Sequence, residues 1–68
     1  MQFTIETEQG DDGRWIAEVS ELPGVMKYAQ TREAAIALAE ALALRVLAER
    51  IESGEQVVEP IQISFAAA

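Results

Sequence analysis

Apolar and polar side chains alternate over residues 2–8, with Phe3, Ile5 and Thr7 on one face and Thr4, Glu6 and Glu8 on the other. A period of two is that of a strand with one buried face. The same period returns over residues 14–19, where Trp15, Ala17 and Val19 point inward and Glu18 outward. Ile16 places an apolar side chain on the solvent side of that strand, which suggests a second contact surface. Between the two strands, Gly10-Asp11-Asp12-Gly13 supplies a reversal. Leu22-Pro23-Gly24-Val25 supplies the next one. Proline presets φ at the second position of a type II turn, and glycine accepts the positive φ required at the third. Residues 25–29 then predict a short third strand, completing an antiparallel meander.

The period next lengthens to that of a helix. Thr31 reads as its N-cap, with Glu33 in the first turn where a carboxylate meets the positive end of the helix dipole. The helix runs to Glu52 and stops at Ser53-Gly54, Gly54 taking the left-handed C-terminal position. Ala35, Leu38, Ala39, Leu42, Ala43 and Val46 form the stripe expected to cover the sheet, widened by Ile36, Leu47 and Ile51. Another side carries Ala34, Ala37, Ala41 and Ala48. Alanine there serves as a strong helix former, or it lets another subunit approach closely; on the second reading Ala37, Ala41 and Ala48 are oligomer contacts.

Beyond Gly54 the chain crosses residues 55–60 and alternates again, with Ile61, Ile63 and Phe65 opposed to Gln62 and Ser64. This is a fourth strand, begun by Pro60, with residues 66–68 as a frayed end. Right-handed crossover geometry sets it parallel to the first strand and beside it, in the order 3-2-1-4. The expected fold is α+β in two layers: a three-stranded antiparallel meander, one helix and a fourth strand. One helix covers part of such a sheet and leaves apolar surface for a partner.

Composition sharpens that picture. A 68-residue chain buries only about 60 % of its unfolded surface, and a core of that size supplies roughly 3–5 kcal/mol. Cysteine and histidine are both absent, so disulfides and the usual zinc sites are excluded and association is the remaining way to bury more surface. Twelve acidic and five basic residues give a net charge of −7, unsuited to nucleic acid or an anionic membrane and suited to a basic partner or simply to solubility. No signal peptide or apolar run of bilayer length is evident, and the expected location is the cytoplasm.

Catalytic chemistry has few candidates. Nucleophilic triads in their histidine and cysteine forms are excluded, and Gly10 and Gly13 flank two aspartates that would repel a phosphate. Glu6, Glu8 and Glu18, with Asp11 and Asp12 in the adjoining turn, form an oxygen-rich outer surface. Outward glutamates on a half-exposed sheet are ordinary solvated positions, so no enzyme activity, metal or cofactor is expected. Trp15, at inward spacing, reads as core, whereas Tyr28 either packs at the helix entry or faces a partner.

The run from Asp12-Gly13-Arg14-Trp15-Ile16-Ala17-Glu18-Val19 through Ser20-Glu21-Leu22-Pro23-Gly24-Val25, followed by Thr31-Arg32-Glu33-Ala34-Ala35, resembles the HicB-like antitoxin family. Gly54 and Pro60 fill the glycine and proline that precede the last strand in that family's pattern. The resemblance extends over nearly the whole chain, as a single HicB-like domain over residues 1–68. It implies a partly degraded ribonuclease-H-like fold and a small basic HicA-like toxin as partner, one that cleaves messenger RNA and is blocked when its active site is covered. Glu6, Glu8, Ile16, Glu18 and Tyr28 are the candidate partner-binding residues; Leu22, Pro23, Gly24, Thr31 and Gly54 are structural. Three departures stand out. No C-terminal DNA-binding domain of the helix-turn-helix or ribbon-helix-helix kind is present in 1–68, Ala29 replaces the family's glycine, and Ala34 replaces a glutamate, leaving half a capping box. The alternative is a stand-alone homo-oligomer of structural or regulatory character without a toxin partner.

Overall fold

The computed structural model describes residues 1–55 and 60–68. The crossing expected over residues 55–60 therefore lies largely outside the described residues. The elements are β1 (Gln2–Gln9), β2 (Trp15–Val19), β3 (Met26–Ala29), α1 (Arg32–Glu52) and β4 (Ser64–Ala67). The four strands form one mixed sheet in the order β3-β2-β1-β4, with β1 antiparallel to β2, β2 antiparallel to β3, and β4 parallel to β1. Meander, helix and parallel fourth strand stand where alternation and the crossover rule put them.

Each reversal is made by local chemistry. Gly13 (φ 86°) closes the first turn by donating its N–H to the Gly10 carbonyl at 3.0 Å. Asp12 Oδ1 accepts from the Arg14 N–H at 3.0 Å, as an aspartate in a tight turn does. At the second turn Val25 donates to the Leu22 carbonyl at 3.0 Å and Gly24 has φ 89°, while Leu22 and Val25 themselves are buried. The turn thus also seals one end of the core.

Thr31 caps α1 through Oγ1, which accepts from the Ala34 N–H at 3.1 Å; alanine at position 34 leaves the reciprocal bond unmade. At the other end Gly54 (φ 82°) donates to the Ile51 carbonyl at 3.2 Å and Glu55 to the Arg50 carbonyl at 3.0 Å. These are the two bonds of a Schellman motif.

The buried face of α1 is narrower than the expected stripe. Ala35, Ala39, Ala43 and Leu47 are buried, four residues apart, whereas Leu38 is 46 % and Ile51 37 % exposed. Leu42, Val46 and Ile36 are half-buried at its borders. Small side chains along the seam let the helix lie close against the sheet, so the larger leucines one position away are turned aside. The helix packs on β2 and β3, less on β1. Opposite the seam stand Phe3, Ile5, Ala17 and Val19. Of the ten buried apolar residues among those described, four are alanine, Ala17, Ala35, Ala39 and Ala43, so this core is thin in side-chain volume.

A second difference is at the end of the chain. Residues 66–68 do not fray: Ala66 and Ala67 pair with Thr4 and Ile5, and Ala68 donates to the Ile5 carbonyl at 2.8 Å. The parallel register sets Ser64 beside Gln2, so the alanines fall opposite the middle of β1, and β4 starts later than Pro60.

Candidate protein-binding face

Side chains pointing away from α1 form the outer face of the sheet. The register aligns them in two rows, Tyr28–Ile16–Glu8 and Met26–Glu18–Glu6, each running across β3, β2 and β1. All five candidate partner-binding residues lie in these rows. Glu6, Glu8 and Glu18 are exposed, and with Ile16 they line one depression. Glu6 stands directly opposite Glu18, a like-charge cross-strand pair that weakens the sheet.

Tyr28 is 47 % exposed on this outer face, away from the helix. The Arg14 guanidinium sits 4.9 Å from the centre of its ring, within cation–π range. Arg14 is held in turn by Asp12, whose Oδ2 lies 2.7 Å from its Nε. The Arg14 backbone N–H, followed by its guanidinium, holds the Asp12 carboxyl below its ordinary value. The turn between β1 and β2 thereby fixes the ring at one end of the face.

Two residues of this surface were not singled out from sequence. Met26, 43 % exposed, lies beside Glu18; its place two residues before Tyr28 puts it on the same face of β3 and was the available signal. Arg14 is the other, and only the three-dimensional closeness of turn and third strand brings it to Tyr28. The combined surface holds an aromatic ring, a thioether, an isoleucine and the Arg14 guanidinium beside three carboxylates.

The remaining candidates lie elsewhere. Trp15 is half-buried on the inner face, packed against the core. Ala37 and Ala48 are exposed and Ala41 is half-buried, on the side of α1 away from the sheet. Glu21, just past β2, accepts from the Thr4 N–H at 2.8 Å, beside the Ser20 N–H that donates to the Thr4 carbonyl at 3.1 Å. That bond holds the Glu21 carboxyl below its ordinary value.

Among the described residues no three acidic side chains converge closely enough to hold a metal ion. Among the described residues no helix is long and apolar enough to cross a membrane. Comparison of the chain with protein families, with characterised proteins and with solved structures finds no match to any of them.

Proposed function

We propose that this chain is an antitoxin-like interaction module that binds and neutralises a small basic mRNA-cleaving protein through the outer face of its sheet. The observation that carries the reading is the composition of that face: Glu6, Glu8 and Glu18 grouped beside exposed Met26 and Tyr28 and half-buried Ile16. Exposed aromatic and aliphatic side chains with charges beside them are a common make-up of a protein contact. Carboxylates of one sign select a basic partner and speed its encounter. A ribonuclease needs cationic side chains to hold RNA phosphates, so an acidic face competes for the surface such an enzyme must keep open.

The resemblance of the run from Asp12 to Val25, and of Thr31 to Ala35, to HicB-like antitoxins supports the same reading and names HicA-like toxins as the partner class. No residue of the chain acts on RNA under this proposal; inhibition is by occupancy. The cytoplasm is the compartment in which messenger RNA is met.

The test is co-purification from source cells at low salt, comparing the native chain with a triple charge reversal, Glu6→Lys, Glu8→Lys and Glu18→Lys. The native chain is expected to carry a small basic protein in near-equal amount, released by raising salt, and the triple variant to carry none. A triple variant that retains the same protein would overturn the assignment of this face.

A further inference from the structure

We propose that β4 is the edge through which two copies of this chain join, antiparallel and about a two-fold axis, so that two four-stranded sheets become one. The proposal is independent of the basic partner, since it uses the edge of the sheet and leaves the outer face open.

The backbone sets the register. Ser64 donates its N–H to the Met1 carbonyl at 2.9 Å and Ala68 donates to the Ile5 carbonyl at 2.8 Å. Alternation along the strand therefore turns the N–H and C=O groups of Ile63, Phe65 and Ala67 away from β1, toward the free edge. Among the described residues no strand meets them. An edge of this kind is a template for another strand unless something blocks it.

Nothing on β4 blocks it. Residues 60–68 contain no charged side chain, in a chain with twelve acidic and five basic residues. The opposite edge strand, β3, carries Lys27. Two copies each bearing −7 repel over most of their surfaces, and an uncharged edge is where they approach at least cost. That favours a second copy as the occupant over a basic partner, for which residues 60–68 offer no acidic side chain.

Side chains agree with the backbone. Phe65 is half-buried against Phe3, ring centres 5.7 Å apart, and α1 makes no substantial contact with β4. Placing Phe65 on the two-fold axis pairs it with its own copy and pairs Ile63 with Ala67 of the second chain. In an antiparallel ladder these are the hydrogen-bonded pairs. The two Phe65 rings then meet on the inner face, each already backed by its own Phe3, and cover one another where the helix does not reach. A core with four alanines among the ten buried apolar residues described gains most from such an addition.

Sedimentation over a dilution series, together with amide hydrogen exchange, tests this on the native chain. Expected is a mass twice that of the 7.4 kDa chain, with the amides of Ile63, Phe65 and Ala67 protected. Ala67→Pro removes an outward N–H and spares the bonds to β1, and Ala67→Lys adds a charge to the edge. Both are expected to sediment as single chains with unchanged circular dichroism. A native mass of one chain at every concentration would overturn the proposal. So would a dimer in which those three amides exchange freely and both variants still pair. A failed charge-reversal experiment on the outer face changes none of these readings.

Discussion

Replacing Ala39 by leucine separates the seam of the helix from its flanks. Ala39 is fully buried between α1 and the sheet, whereas its neighbour Leu38 is 46 % exposed. Three further carbons at position 39 have no space and must push the helix outward or force poor rotamers, a cost of about 1–3 kcal/mol. Removing them from position 38 costs far less. Full burial of a leucine is worth about 1.5–3 kcal/mol, so a half-exposed one forfeits roughly 1 kcal/mol, partly offset by the better helix propensity of alanine. A domain of 68 residues has a total stability of about 3–10 kcal/mol, so Ala39→Leu removes a large share of it. Urea and thermal unfolding, followed by the fluorescence of Trp15, read both variants in the native background. Expected is a clear fall in midpoint for Ala39→Leu, a drop in Tm of about 4–8 °C for each kcal/mol, and a small change for Leu38→Ala. If Leu38→Ala proves the more damaging of the two, the placement of the seam on Ala35, Ala39, Ala43 and Leu47 is wrong.

Other expectations follow from the turns and the charges. Gly24→Val forces a β-branched side chain to φ 89° and is expected to cost about 1–2 kcal/mol, read as a lower urea midpoint with no change in m value. Glu21 has its folded-state carboxyl value lowered from 4.5 by the Thr4 N–H. Stability from this bond is present above that ordinary value and is lost as pH falls through the lowered one. Glu21→Gln should therefore flatten the decline of the urea midpoint with pH on the acid side, and an unchanged decline would count against the bond. Glu18→Thr removes one member of the Glu6–Glu18 cross-strand pair. It should raise thermal stability at low salt while weakening the basic partner, with the stability gain shrinking as salt is added.

Much of the sheet was legible because strict alternation and two glycine-bearing turns constrain the backbone independently of distant contacts. Phe3, Ile5, Ala17 and Val19 could be assigned to the inner face from period alone, and all four are buried. The helix was less legible for a physical reason. Alanine and leucine both count as apolar, so Ala35, Ala39 and Ala43 looked no different from Leu38 until the distance to the sheet chose between them. The closing alanines carry no alternation of their own, and only the register of Ser64 against Gln2 shows Ala66 and Ala67 to be strand. On the outer face, Ile16 betrayed itself by breaking the pattern of β2, and the three glutamates followed from spacing. A strand of four residues such as β3 gives too short a period to orient Tyr28, and the approach of Arg14 to its ring depends on a turn folding across two strands.

Inhibition of the co-purified basic protein's ribonuclease activity tests the central claim most directly. The native chain added to that protein in equal amount should abolish RNA cleavage. The triple variant Glu6→Lys, Glu8→Lys and Glu18→Lys, folded by circular dichroism, should leave cleavage intact. Equal inhibition by both chains, or undiminished cleavage in the presence of the native one, would contradict the assignment of the outer sheet face as the surface that neutralises a toxin.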